Sequence, residues 1–533
     1  MKKHFVRLIP YLLLFILMFV LNYLFLPALT IQSPGFRLFI GAFFIGVLFI
    51  ELVIDIDISG RKKVNRTKYT LISLPIVFVL LVFAIQFFNG PIFRSKDYAN
   101  LIDVVEKDFG SDFYVMNTDQ IPMMDRDTAE RLGDRRIGSM SDLVSQFVPA
   151  NAYTQINIEN EPFRVTPLEY SGFMQWLNNR KEGIPNYLKV DMVSGEVTVE
   201  DLAENIKYSH SERFSRNVKR HLRRQYPTTI FRSPSFEVDD EGHPYYVATT
   251  YKNKFLFTYQ EPSGVITLDA VTGETEAYEL GEIPTWMDRI YAAELILDQL
   301  NYYGKYTNGF WNSIFQKRGV TQTTEGYNYI PMNDDVFLYT GVTSVNSDAS
   351  NIGFYLVNLR TKEAEFYPVT SADEFSAMAS AEGSLQQMRY TSTFPLLLNL
   401  NDRPYYISSL KDDSGLVRAY ALVDAQDYQK VLTSDTVDGL IAQLNGSTGG
   451  VSEPTEIEEI ETEEELTAIS GQVENISQAV VAGDTMYYFM IDGSIYKASI
   501  ELSDQLPFVD LETELEGEVN QDNIFRSITI ITE

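Results

Sequence analysis

Three apolar segments in the first ninety residues constrain this chain more than anything that follows. Residues 5–26, 36–54 and 70–88 are each long enough, as helices, to cross a hydrocarbon core about 30 Å thick. Lys2, Lys3 and Arg7 open the first segment. Arg61, Lys62, Lys63, Arg66 and Lys68 crowd the loop between the second and third, whereas the first loop holds only Arg37. Basic loops stay on the cytoplasmic side. The N-terminus is therefore expected inside, and residues 91–533 on the extracytoplasmic side of a plasma membrane. The first apolar run is too long for a cleaved leader, and Phe25-Leu26-Pro27-Ala28 is a poor cleavage site, so the segment reads as an anchor. Glu51, near the cytoplasmic end of the second span, is expected to snorkel toward the interface.

The exterior is acidic. Residues 97–533 carry 32 basic against 70 acidic side chains, a balance that repels nucleic acid and anionic polymers. It suits a solvated scaffold or a cationic partner. The chain has no cysteine, which removes disulfides, thiol nucleophiles and thiolate metal sites, and fits an envelope without dedicated disulfide formation, as in many Gram-positive bacteria.

Pattern divides the chain into a three-helix anchor (1–90), a membrane-proximal segment (91–165), a body of repeated units (166–440), a flexible acidic linker (441–466) and a small terminal module (467–533). The repeats rest on a turn. Asp191-Met-Val-Ser-Gly195-Glu196 recurs as Asp269-Ala-Val-Thr-Gly273-Glu274, each time between an apolar strand and an alternating one. Asp and Ser/Thr bond the turn backbone and Gly supplies positive φ, so each is a hairpin. His243-Pro-Tyr-Tyr-Val247 is echoed by Arg403-Pro-Tyr-Tyr-Ile407, and 353–369 and 417–432 share the strand–turn–strand shape. Helices are expected over 285–300 and 371–389 from their apolar spacing. Internal duplication explains these echoes. The expected fold is three transmembrane helices, an extracytoplasmic α+β body of hairpin and helix units, and a C-terminal five-stranded β-barrel, OB-like or SH3-like.

Motifs for catalysis are missing. The four histidines lack metal-ligand spacing, and there is no HExxH, GxSxG elbow, phosphate loop or GxGxxG. Ser494-Ile-Tyr-Lys497 matches SxxK only in letters, because it lies in an expected strand. No catalytic residue, cofactor or metal site is assigned. One basic cluster stands out beyond the membrane: Arg213, Arg216, Lys219, Arg220, Arg223 and Arg224 recur at helical spacing, with Phe214, Val218 and Leu222 on another face. It either meets anionic headgroups or wall polymer, or pairs with the protein's own acids.

The texts VDMVSGEVTVEDL and LDAVTGETEAYEL resemble the closing strands of PepSY-type modules, small exported α+β units. A longer run is similar to an uncharacterised family of large membrane-anchored proteins of Gram-positive anaerobes. It extends from LGDRRIGSM through VTPLEYSGFMQWLNNRKEGIPNY, NVKRHLRRQYP and RIYAAELILDQLNYYGKYTNGFWNSIF to YTSTFPLLLNL. The resemblance implies place and architecture, with no activity attached. The expectation is a non-enzymatic, membrane-integral envelope protein that acts as scaffold or regulatory partner of another envelope protein. An envelope hydrolase or transferase with an unfamiliar acidic site is the alternative, and a membrane sensor a third.

Overall fold

The computed structural model describes residues 2–58, 66–113, 120–158, 161–332, 334–345, 350–446 and, with short gaps, 467–531. Two compact units divide at Thr448/Gly449. Of the linker expected over 441–466, residues 441–446 end the helix Val437–Gly446 instead, and 447–466 lie outside the described residues.

The first unit begins with apolar helices α1 (Lys2–Phe25) and α2 (Pro34–Ile58), both long and apolar enough to cross a membrane. They pack closely where Gly46 leaves room for Leu14. Glu51 accepts a hydrogen bond from the Tyr11 hydroxyl on the neighbouring helix, which satisfies it without snorkelling. A third apolar helix, α3 (Arg66–Phe88), bends by 51° into α4 (Pro91–Ala99), a broken span or a re-entrant turn by geometry.

Among the described residues four sheets follow, and all obey one plan. Two short strands pair end to end with one long strand, which continues as an antiparallel meander of two more. In the first sheet the short strands are Phe147–Pro149 and Thr154–Ile158, and the meander is Glu161–Tyr170, Ile184–Asp191 and Val197–Ile206. The second runs Ile230–Phe231 and Ser235–Val238, then Pro244–Lys254, Tyr259–Asp269 and Thr275–Glu279. The third runs Thr321–Thr323 and Asn328–Met332, then Asp335–Ser344, Ser350–Asn358 and Ala364–Tyr367. The fourth runs Thr391–Ser392 and Leu396–Leu400, then Arg403–Lys411, Val417–Asp424 and Val431–Ser434.

The two faces of each strand serve different neighbours. Tyr246 and Ala248 join a core with the first sheet's Leu168 and Leu188, while Val247 between them joins a core with the third sheet's Val336 and Leu338. Tyr339 turns the other way, into a core shared with Leu397, Tyr406 and Leu422 of the fourth. Period-two alternation thus makes each sheet a layer between two cores. The fourth sheet returns to the first through 121–138: Ser409 Oγ donates to Met123 O (2.7 Å), Lys411 pairs with Asp125 (2.5 Å), and Met124 N donates to Met192 O (2.9 Å). Four-stranded meanders in a closed series are the blades of a β-propeller, here four.

Every blade turns from its third to its fourth strand in the same way. The side-chain oxygen of Asp191, Asp269, Asn358 or Asp424 accepts from the N–H groups two and three residues on, at 2.7–3.1 Å. Gly195 and Gly273 supply φ of 73° and 81°. Lys362 adopts 69° in the third blade, held by an ion pair to Glu261 at 2.5 Å.

The segment 91–165 is not a separate element. Val104–Glu106 pairs in parallel with Ala364–Phe366 at the edge of the third blade, and Phe147–Ile158 starts the first blade. The helix expected over 285–300 forms at Ala293–Tyr306. Asp288 instead accepts from Asn157 N (2.7 Å), and the N–H groups of Ile290 and Tyr291 go to Leu359 O, which holds this stretch out of the helix.

Among its described residues the second unit has six strands, one more than the five expected, in two antiparallel sheets. One joins Thr467–Gln472, Glu514–Val519 and Phe525–Ile531, and the other Asn475–Val481, Asp484–Ile491 and Ser494–Ser499. They share a core around Phe489, Leu515 and Phe525.

Candidate membrane-seating surface

The six basic residues fall in one ordered segment. Buried Glu212 fixes its start by accepting from Tyr170 Oη (3.1 Å) and Trp176 Nε1 (2.9 Å). Asn217 caps the helix Val218–Gln225. Val218 and Leu222, four apart, are fully buried, which turns the basic positions outward.

Those positions take up neither expected role simply. Among the described residues, no carboxylate lies within ion-pair distance of any of the six. Arg223 donates to three carbonyls: Leu26 (3.1 Å), Tyr226 (3.0 Å) and Thr229 (2.6 Å). Its guanidinium also lies 4.1 Å over Phe231, and burial pushes its pKa down to about 10. Leu26 terminates α1, so this arginine ties the body to the anchor. Leu29 N to Pro227 O (2.8 Å) is a second tie. Arg220 stacks on Tyr23 at 4.7 Å. Arg213 lies over Phe173 and Trp176, and Arg216 donates to Arg180 O. Lys219 and Arg224 are exposed. Tyr23, Leu26, Phe214, Arg220, Arg223 and Arg224 enclose a pocket of about 540 Å³ at the end of α1. Phe214, 64% exposed, stands at its mouth.

A second group shares this end of the body. The hairpin between the second blade's long strands has its tip at Phe255–Phe257. There Arg37, at the start of α2, lies over Phe257, and Arg94 of α4 lies over Phe255. Asn253 Nδ2 donates to Gln32 O (2.8 Å). The helix Ala293–Tyr306 runs along this hairpin toward the same tip. Ile290 O meets Thr249 Oγ1 far from the tip, Gln299 meets Tyr259 Oη, and Tyr302 packs on Tyr259 and Tyr98 beside it. Beyond Tyr302 the rings of Tyr306, Phe310, Trp311 and Phe315 follow one another at 5.4–6.0 Å. Trp311 and Phe315 are 63% and 75% exposed, and Lys317 and Arg318 follow. Sequence reading missed this foot, although its text NGFWNSIFQKR mixes Trp, Phe and basic residues as interfacial segments do.

Asp191, Gly195, Asp269 and Gly273 lie at blade turns, as structural residues. Among the described residues no group of three His, Asp or Glu is placed to hold a metal ion.

No known protein family matches the chain, and no curated protein matches it. Solved structures match only loosely. A B. megaterium levansucrase mutant is 11% identical over 78% of this chain and 97% of its own, with a TM-score of 0.17. An ACO/RPE65 chimera is 9% identical over 74% of this chain, with a TM-score of 0.14. This chain spans 64% of the chimera's length, less than two thirds. A Trypanosoma rangeli sialidase mutant gives 10% and 0.14. At these scores none of them bears on this chain's fold or function.

Proposed function

We propose that this protein is a membrane-integral envelope scaffold whose propeller body sits directly on the bilayer and presents a small terminal module to another envelope protein. The observation that carries this reading is the tie of Arg223 to the end of α1, with Arg220, Arg224 and Phe214 around an open pocket beside it. Basic and aromatic side chains at one level are what a lipid interface attracts. In this reading α3 completes a three-span anchor, with the N-terminus cytoplasmic and the body extracytoplasmic. The basic loop at 61–68 supports that orientation. The terminal module is then a barrel-like domain on a Glu-rich tether, and the resemblance to envelope proteins of Gram-positive anaerobes supports the setting.

An enzyme would want acids converging in an open pocket. Glu237 and Asp288 lie close together but are 1% and 0% exposed, closed to a substrate, so the enzyme alternative would have to act where Glu106, Asp108 and Asp402 line an open pocket of about 580 Å³. The test has two arms. Crosslinking in intact cells and co-purification recovers one defined envelope complex if the protein is a scaffold, and turnover of wall polymer or peptide by the purified chain would overturn the reading. In nanodiscs, spin-labelled phosphatidylglycerol is immobilised more than phosphatidylcholine if the pocket takes anionic headgroups. Equal immobilisation removes that part.

A further inference from the structure

We propose that the cavity where blades one, three and four meet is a binding site for a small carboxylate, held by Arg164 as its counter-charge.

Arg164 lies mid-strand in the first blade, opposite Gln155 of the inner strand. It is 6% exposed. A guanidinium this deep ordinarily has a carboxylate partner, yet among the described residues none lies within ion-pair distance. Its contacts are long: 3.5 Å from Nη1 to Tyr153 O and 3.3 Å from Nη2 to Gln155 Oε1. Nε is buried with no partner. Arg289 adds a second positive charge nearby, and with burial it brings the Arg164 pKa down to about 10.

The same side chain lines a cavity of about 150 Å³. Asn328, Thr393 and Ser408 supply polar atoms to its wall, and Met124 and Met192 supply apolar ones. Asp125 also borders it, but that carboxylate is committed. One oxygen pairs with Lys411 and the other caps the helix Arg126–Gly138 at Thr128 N. The cavity therefore keeps an uncompensated positive charge, as an anion site does.

Size and polarity narrow the ligand. At about 150 Å³ the cavity suits a small organic anion and is too small for a nucleotide. A planar carboxylate matches the guanidinium fork in a bidentate pair, and the methionines suit a short apolar tail. Phosphate fits less well, because its extra charge would face Asp125 and its remaining oxygens would face thioethers. A monocarboxylate of two to four carbons satisfies both walls.

The test is thermal unfolding and calorimetry of the full-length protein in detergent. Acetate, propionate, butyrate and phosphate are each compared with chloride at matched ionic strength. A saturable rise in Tm with the carboxylates is expected, strongest for propionate or butyrate. R164K should weaken binding several-fold and R164Q should abolish it. M192F, which narrows the apolar side, should lose butyrate before acetate, and this size series decides the matter if R164Q does not fold. Carboxylates that do no more than chloride would overturn the proposal. So would a response in R164Q equal to wild type, or a preference for phosphate.

Discussion

Arg223 and Arg164 are both sunk in protein, and burial draws both pKa values down to about 10, yet they are provided for in opposite ways. Arg223 spends its donors on three carbonyls and a ring, one of those carbonyls at the end of α1. Arg164 has two long contacts and an orphaned Nε. At the end of α1 a half-buried cation is finished structure. In the cavity between blades one, three and four a buried one is half of an interaction. Burial alone does not mark a site, and the count of satisfied donors does.

Mutation can break or sharpen this contrast. The largest effect is expected at the rim. Arg223→Ala leaves three carbonyls short of a charged donor and should cost about 4 kcal/mol, read as a lower Tm and faster proteolysis between Leu26 and Thr229. A cost below that of an ordinary surface arginine would end the distinction.

The buried acids Glu237 and Asp288 should respond to pH instead. Burial raises the Glu237 carboxyl from 4.5 to about 7, against Ser235 and Arg289, which lower it. Asp288 beside it is also raised, mainly by burial. A carboxyl raised in the folded state favours folding fully below its unfolded pKa, and that advantage drains as pH climbs through 7. Glu237→Gln should therefore stabilise the protein at pH 8, by up to about 3 kcal/mol, and change little near pH 4. Denaturant titrations at the two pH values measure this.

Blade turns give a smaller, internally controlled effect. Burial would raise the Asp269 carboxyl, but the Thr272 and Val271 N–H groups and His243 outweigh it and hold the group below its usual range. Asp269→Ala should cost about 1.5 kcal/mol, whereas Asp269→Asn should fold nearly as well, because Asn358 already makes this turn in the third blade. The carboxylate's share is present above its unfolded pKa and fades as pH falls through the folded one, so both variants should lose this acid sensitivity, and only the Ala variant should also lose the turn's stability. Smallest per residue is the exposed basic pair Lys219 and Arg224. Replacing Lys219 and Arg224 with Gln should reduce phosphatidylglycerol preference in nanodiscs by about 1 kcal/mol per charge, with Tm unchanged.

Sequence made part of this legible. The Asp-to-Gly turns at 191–195 and 269–273 announced two blades, and the HPYY and RPYY echoes lie at the start of matching strands, with Tyr246 and Tyr406 buried alike. The hairpins at 353–369 and 417–432 were legible as well, but their turns depart from the Asp-to-Gly pattern, so the fourfold equivalence that makes the ring stayed hidden. Lys362 stands where glycine would, and the fourth turn runs on through Asp424-Ala-Gln-Asp. The basic cluster was visible as charge, but its partners are carbonyls and rings, which charge counting does not see. The interior charges were invisible. Arg164 and Glu237 each have apolar residues on both sides in sequence, and Glu237 comes near Asp288 only in the fold.

The parallel pairing of Val104–Glu106 with Ala364–Phe366 carries a consequence for biosynthesis. The anchor leaves the ribosome first, and the strand that follows it has no partner until most of the body has been made. Contacts of such long sequence separation form late. The body must therefore begin folding with one strand unpaired, an edge open to wrong partners. That strand finds its partner only when Ala364–Phe366 has been made, so a chain truncated before residue 364 would be anchored but unfinished.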